Sequence, residues 1–324
     1  MTRARLHTLA SVFGGVLTVG CLIALASVLA QAGTWSALVE VIAHHWLALA
    51  GLVAAYMGLV GLQALAWWRL LVATAGAARP GLSVGIFSLT QLGKYLPGNV
   101  GHFVFRYALT RASGTPRAAT LAASALEPWL LLIAALTALV ALGDVDWPTR
   151  WGLSPIWGGL LPVMALIGAA VGVIWVRRQG WVEAIELKRL ITPGALQGVF
   201  VVASAGLFFG VLALYAPVPM PPVSEVMAAA VLAWWLGFVT PGSPGGLGVR
   251  EAVMTVALAA SIDPATAVAA VAVYRGVTVL GDGLVFLLAA VWWGFKGRHQ
   301  LAAYRHHLDQ AAQTRTAKTW RAPR

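Results

Sequence analysis

The chain has 324 residues, of which 60% are hydrophobic and 10% are charged. Soluble domains carry about 25% charged residues, so this composition excludes a water-soluble fold and indicates a polytopic helical membrane protein. The net charge of +11 comes without any nucleic-acid recognition motif, and the single cysteine, Cys21, excludes a disulfide framework or a cysteine metal site.

Six apolar stretches are long enough, at about 20 residues each, to cross a bilayer as helices. In chain order they are 9–31, 46–73, 117–142, 156–176, 194–216 and 265–294.

Two further apolar stretches, 82–111 and 224–261, are interrupted by proline and glycine. Their arms of about 15 residues are too short to span, because a helix rises about 1.5 Å per residue. Each stretch therefore predicts a re-entrant hairpin, in which two half-helices meet at a turn within the membrane. Such backbone is tolerated at this depth only beside protein or a wet cavity, so a cavity is predicted as well.

The two hairpins share the pattern P-G-x-x-G-x-x-x-x-R, at 97–106 and 241–250. Each is followed by a helix-starting pair, Thr115-Pro116 or Asp263-Pro264, in which Thr or Asp is expected to cap the helix. Eleven residues beyond each of these prolines stands a charge, Glu127 or Arg275. If this match is not a chance alignment, the chain is an inverted repeat, an arrangement that places transport sites near the membrane midplane.

The predicted fold is thus all-α, with six spanning helices and two re-entrant hairpins in a 3+3 inverted repeat. Residues 1–150 form the first repeat, 151–295 the second, and 296–324 a basic cytoplasmic tail. Seventeen of the 22 basic residues fall on one side of this layout, which predicts a bacterial-type inner membrane protein with both termini in the cytoplasm. Trp67 and Trp68 are interpreted as anchors at the membrane interface.

Seven charged residues stand out within the hairpins and spans, where each costs about 2.5–3.5 kcal/mol unless it has a partner or water. Four are cations and three are anions, and the half-helices predicted to begin at Gly98 and Gly245 also direct free N–H groups at the interior. An anion site is therefore expected. The predicted substrate-binding residues are Lys94, Pro97, Gly98, Asn99, Arg106, Gly245, Gly246, Arg250 and Arg275, and the predicted coupling or ion-pair residues are Glu127, Glu251 and Asp282.

Two interpretations of these charges remain open. In the first, Glu127 and Arg275 approach one another as equivalent positions of the repeat, and the cations form a path for an anion. In the second, pairs such as Glu127 with Arg275, or Arg250 with Glu251 and Asp282, merely neutralise each other and fix helix packing.

The sequence also resembles a known family. The residues that carry the resemblance are Pro244-Gly-Gly-Leu-Gly-Val-Arg-Glu251, Tyr274-Arg275, Lys94-Tyr-Leu-Pro-Gly98 and Arg106. Over about residues 8–296 the chain is similar to the transmembrane region of the lysylphosphatidylglycerol synthase/flippase family. The resemblance implies a membrane domain that moves phospholipids or lipid-linked headgroups between leaflets. Members that synthesise lysyl-lipid also carry a soluble aminoacyl-transfer domain; none follows Gly294 here, so we expect no enzymatic activity.

The favoured function is a flippase or scramblase for an anionic phospholipid or lipid-linked headgroup. A secondary transporter of a small soluble anion and a membrane-embedded lipid-modifying transferase are the alternatives. The expected partners are the lipid bilayer, the anionic lipid substrate, a second copy of the chain and a separate lipid-synthesising enzyme, without nucleic acid. No cofactor is expected, and no metal, since His44 and His45 with Glu40 are placed in an interface loop with no further ligand.

Overall fold

The computed structural model describes residues 32–96, 100–142, 188–216, 219–240 and 243–297, with scattered residues between 149 and 186. Every regular element in these ranges is helical. The helices are α1 (Ala32–Ala75), α2 (Pro80–Thr90), α3 (Gly101–Ala112), α4 (Arg117–Ala141), α5 (Lys188–Ala213), α6 (Val223–Val239), α7 (Val249–Leu258) and α8 (Pro264–Trp292). Short 3-10 turns cover Gln91–Tyr95 and Pro244–Gly246, and a π-turn covers Trp293–Gly297.

Four of the described helical segments are long and apolar enough to cross a membrane. They are Leu38–Ala75, Arg117–Ala141, Lys188–Ala213 and Pro264–Lys296, and they correspond to four of the predicted spans. The predicted span 9–31 and the tail from 298 onward lie outside the described residues, and 156–176 is described only at scattered positions. The fold is that of a helical polytopic membrane protein.

Helix α1 begins earlier than the sequence suggested and contains one kink. His45 has non-helical backbone angles (φ −120°, ψ 23°), and His44 Nδ1 lies 2.9 Å from the carbonyl oxygen of Glu40. The prediction of a loop here was wrong, because residues 34–50 contain neither proline nor glycine to end the helix.

Both interrupted stretches form two short helices, as predicted. Helix α2 packs against α3, and α6 packs against α7. The longest of these four arms, α6, has 17 residues. At about 1.5 Å per residue its length falls below the ~30 Å of a hydrocarbon core.

Glycine allows the hairpin tips to pack closely. A Cβ on Gly101 would lie 2.5 Å from the carbonyl oxygen of Gly93, so the start of α3 touches the first 3-10 turn backbone to backbone. A Cβ on Gly245 would lie 2.8 Å from the ring of Tyr95. The two hairpin tips therefore meet at Tyr95 and Gly245, and close packing explains the second glycine of the shared pattern in each copy, Gly101 and Gly245.

The two predicted helix caps have different outcomes. Asp263 caps α8, since its carboxylate accepts a hydrogen bond of 2.9 Å from the backbone N–H of Thr266, and Pro264 occupies the first helical position. The cap predicted at Thr115 is wrong. Helix α4 begins after Pro116 without a side-chain cap, and the Thr115 hydroxyl lies 3.3 Å from that of Ser113 instead.

A buried core holds the hairpins in place. Helix α1 packs against α5 and α8, while α5 also packs against α4 and α6. Large side chains such as Trp67, Phe208 and Leu126 are buried where these helices meet. The two hairpin tips meet beside this core, and several buried polar residues of the described ranges lie there.

Candidate functional site

A cavity of about 70 Å³ lies where the hairpins meet α1, α4, α5 and α8. This is room for a few water molecules. Its wall includes all four cations predicted for the site, together with Gly245 and Glu127. The cations are Lys94, Arg106, Arg250 and Arg275. The predicted cavity is thus present at the meeting point of the two hairpins.

The first cation of this wall, Arg106 of α3, is paired. Its Nη1 lies 2.5 Å from the carboxylate of Glu127 on α4, and its Nε donates a 3.4 Å hydrogen bond to the hydroxyl of Thr90. The guanidinium also lies over Phe87, 3.9 Å from the ring centre, and over Trp67 at 5.2 Å. Because Arg106 is only 1% exposed and Glu127 3%, the charges of this pair neutralise each other in a buried place.

Arg275 of α8 is paired with Glu251, the second acidic residue of the site. Glu251 also accepts a 2.6 Å hydrogen bond from the backbone N–H of Gly248, where α7 begins. Arg275 Nη2 donates in turn to the carbonyl oxygen of Gly245, at 3.4 Å. Glu251 therefore both caps α7 and supplies the counter-charge of Arg275.

Lys94 is paired with Asp282 of α8, at 2.7 Å. The same carboxylate, which is fully buried, accepts a 2.6 Å hydrogen bond from the hydroxyl of Tyr95 and a 3.4 Å one from that of Tyr56. Asp282 thus fixes the tip of the first hairpin to α8 through two adjacent residues, Lys94 and Tyr95.

Arg250 of α7 differs from the other three cations. It forms no ion pair with any carboxylate in the described ranges, and its Nε is buried without a hydrogen-bond partner there. The guanidinium lies 5.5 Å from the ring centre of Trp234. Its side chain passes between two glycines, since a Cβ on Gly237 or on Gly246 would collide with it. The residues described around Arg250 accordingly make room for its side chain but offer it no carboxylate.

These contacts correct three expectations. Glu127 and Arg275 do not pair with each other, because each has a closer partner on a hairpin arm, Arg106 or Glu251. The neutralising pairs proposed for Arg250 are also wrong, since Glu251 and Asp282 are taken by Arg275 and Lys94.

The third correction concerns the glycines of the second tip. Gly245 does not begin a half-helix. It lies in a 3-10 turn with φ +58°, next to Gly246 with φ +74°, and α7 starts only at Val249. The N–H of the cap residue Gly248 donates to Glu251, so a carboxylate of the chain already occupies one of the unpaired N–H groups at this helix end. The first-tip residues Pro97, Gly98 and Asn99 lie outside the described residues.

Several aromatic residues of the site were not predicted. Trp67, interpreted as an interface anchor, is buried beneath Arg106, and Tyr95 and Trp234 contact Asp282 and Arg250. The position of Tyr95 beside Lys94 at the helix interruption was the one available signal. Nothing in the linear sequence distinguishes Trp67 and Trp234 from lipid-facing tryptophans.

Comparison with known families decides what kind of protein this is. The sequence model of the family described as the lysylphosphatidylglycerol synthase TM region matches residues 9–285. The chain belongs to this family. The match includes both hairpins, Arg250 and the three ion pairs of the site, and it confirms the resemblance inferred from the motifs. A comparison with curated proteins finds no match. The description of this family indicates a membrane, lipid-related function.

Proposed function

We propose that this chain is a lipid flippase or scramblase that moves an anionic phospholipid or lipid-linked headgroup between leaflets. The observation that carries the proposal is Arg250, a cation on the cavity wall that lacks a carboxylate among the described residues. A charge in this environment costs about 2.5–3.5 kcal/mol on insertion scales. A bound anion offsets that cost, and a guanidinium matches the paired oxygens of a phosphate.

The remaining cations support the same ligand. Lys94 and Arg275 share the cavity wall with Arg250, and their own carboxylates hold them in place. Each pair is neutral as a whole, so the net charge that a ligand meets comes from Arg250. A single phosphate monoanion or diester balances it.

A second space favours a lipid over a soluble anion. An apolar groove of about 410 Å³ lies between α2, α3 and Phe286 of α8. Thr90 lines this groove and also accepts the hydrogen bond from Arg106, which lines the cavity. Two hydrogen-bonded side chains, Thr90 and Arg106, therefore separate the groove from the headgroup cavity, and we place the acyl chain of the moving lipid in the groove.

The sequence and the ion pairs leave two driving forces for lipid movement. The chain contains no G-x-x-x-x-G-K-[ST] loop, so the proposal does not use ATP. The lipid runs down its own gradient, or protonation of Glu127 or Asp282 couples it to an ion gradient. Protonating Asp282 removes the counter-charge of Lys94 and weakens the attachment of the first hairpin tip to α8.

The wider setting belongs to the same proposal. We place the chain in a bacterial-type inner membrane with both termini in the cytoplasm, acting without catalysis. A second copy of the chain and a separate lipid-synthesising enzyme are its proposed partners.

Reconstitution tests this function directly. Purified full-length protein is placed in liposomes that carry a fluorescent phosphatidylglycerol, and the fraction reduced by external dithionite is followed over time. Exchange between leaflets should be faster than in protein-free liposomes and should fall with Arg250→Gln. Lipid exchange no faster than in protein-free liposomes would reject the proposal. Release of entrapped inorganic phosphate from the same liposomes, without lipid exchange, would instead establish the soluble-anion transporter.

A further inference from the structure

We infer that helix α3, the second arm of the first hairpin, is the moving wall through which a lipid enters the cavity from the bilayer. The inference rests on the proposed function and names the part of the chain that moves. The cavity of about 70 Å³ is far smaller than the ~300 Å³ at which pockets begin to hold small molecules, so the described conformation is closed. One wall of the cavity therefore moves before a phosphate-bearing headgroup can enter.

Helix α3 lies between the cavity and the apolar groove. His102 and Arg106 of α3 line the cavity, whereas Phe105 and Leu109 of the same helix line the groove. A lipid with its headgroup in the cavity and an acyl chain in the groove crosses the partition that Arg106 forms with Thr90. Because Phe105 is 49% exposed on the apolar outer surface, an outward movement of α3 would join the two spaces and open them to the bilayer.

The buried face of α3 is entirely polar. Its three buried residues, His102, Arg106 and Thr110, recur every four positions and so form one stripe along the helix. The outer face carries Val104 and Phe105, which are 59% and 49% exposed. In a bilayer this outer face already meets lipid, and a polar stripe can meet water. Moving α3 outward therefore exposes no buried apolar side chain of the helix itself.

Two atoms of this polar stripe lack partners while the wall is closed. His102 Nδ1 and Thr110 Oγ1 are buried and form no hydrogen bond within the described ranges. A buried polar atom without a partner costs free energy, because it has lost its hydrogen bonds to water. Water that enters as α3 moves outward removes this cost. The closed conformation accordingly carries a penalty that the open one relieves.

The ion pair between Arg106 and Glu127 positions α3 against α4 without fixing it permanently. Removing one partner of a buried pair leaves the other charge buried and alone, which is strongly unfavourable. An outward movement of α3 differs, because water then reaches both charges and returns the solvation that each lost on burial. The pair therefore sets the closed position of the helix and still allows it to open.

The corresponding arm of the second hairpin, α7, is held more firmly. Its buried residues include the apolar Val249, Met254 and Leu258, and it packs against α6 and α8. Moving α7 would expose these apolar side chains to water in the cavity. Helix α3 packs mainly within its own hairpin and against α4, whereas α2 is held by α1 and α8. This difference places the opening at α3.

Distance measurements on the full-length protein in nanodiscs test the movement directly. In a Cys21→Ser background, spin labels are attached to Val104→Cys with Leu280→Cys, and to Val256→Cys with Leu280→Cys as the matched pair on α7. These positions are exposed, and none of them lines the cavity or the groove.

Pulsed electron–electron double resonance should give two distances for the α3 pair, about 5 Å apart or half a helix diameter, and one distance for the α7 pair. Added phosphatidylglycerol should increase the population with the longer α3 distance. A single α3 distance that phosphatidylglycerol does not change, or equal changes in both pairs, would overturn the inference.

A conservative substitution tests the role of the polar stripe. Thr110→Val removes a hydroxyl that only the open conformation hydrates, so it should reduce both the population with the longer α3 distance and the rate of lipid exchange by about fivefold, the effect of about one neutral hydrogen bond. The matched control is Thr255→Val on α7, whose hydroxyl is also buried without a partner among the described residues. It should change neither quantity. Equal effects of the two variants would contradict the role of the stripe.

The two measurements distinguish failure of this inference from failure of the proposed function. Lipid exchange without a second α3 distance keeps the flippase and rejects α3 as the moving wall. A second α3 distance that responds to phosphatidylglycerol, without any lipid exchange, keeps the moving wall and rejects the flippase.

Discussion

Arg250 and Arg275 line one cavity, and within the described part of the chain only Arg275 forms an ion pair with a carboxylate. In the shared sequence pattern Arg250 aligns with Arg106, and Arg275 aligns with Glu127. Arg106 and Glu127 pair directly with each other. One half of the pattern is therefore neutral, whereas the corresponding positions of the other half are both cationic. Glu251 compensates one of these charges, and Arg250 keeps the surplus.

Replacing Arg250 should separate function from stability. We expect Arg250→Gln to slow lipid exchange at least ~tenfold, because hydrogen bonds to charged groups contribute about 1.5–3 kcal/mol. The thermal unfolding midpoint in detergent should stay the same or rise, since the substitution removes a charge without a carboxylate partner in the described structure. A lower midpoint together with normal exchange would show that Arg250 is structural.

The Arg106–Glu127 pair should show the opposite behaviour. Arg106→Met alone leaves Glu127 buried without its counter-charge and should destabilise the protein by about 3–5 kcal/mol. Adding Glu127→Leu should restore most of that loss, because two apolar side chains replace the whole pair. The unfolding midpoints of the two single variants and the double variant form the cycle that measures this coupling. Additive losses in the double variant would rule out a direct pair.

Gly246 should tolerate no side chain. Its φ of +74° is strained for other residues, and a Cβ would collide with the Arg250 side chain. Gly246→Ala should therefore reduce both exchange and the unfolding midpoint. Gly276→Ala is the matched control on α8, where a Cβ would meet no atom within 4 Å. If both alanine variants have the same exchange rate and the same unfolding midpoint, the close packing around Arg250 is not essential.

Asp263 should contribute to stability in a pH-dependent way. Hydrogen bonds from Thr266 hold the pKa of its carboxyl below the usual value, so the contribution is present above about pH 4 and is lost as the pH falls through the lowered pKa. Asp263→Ala should lower the free energy of unfolding by about 1 kcal/mol at pH 7. Asp263→Asn, which keeps a capping oxygen, should change it little at that pH. Equal losses for Asn and Ala would contradict the cap.

The interruptions of the sequence were sufficient to predict the short helices of both hairpins. Proline and glycine act locally, so 82–111 and 224–261 could be recognised without knowledge of their neighbours. Helix starts were less predictable. Asp263 caps α8, whereas the hydroxyl of Thr115 hydrogen-bonds to that of Ser113 and does not cap α4. A capping side chain has several partners within reach, and the local fold selects one of them.

The sequence by itself determined the membrane setting, the broken helices and the excess of one cation among the seven charges singled out, because composition and local backbone chemistry do not depend on how the helices pack. Only the tertiary structure decided which cation keeps the surplus charge. Ion pairs join side chains from different helices, as Arg106 on α3 joins Glu127 on α4, and their choice depends on which faces meet when the helices pack. Linear spacing suggested an ion pair between Glu127 and Arg275. Helix packing instead pairs each of them with a residue of a hairpin arm and leaves Arg250 on the cavity wall.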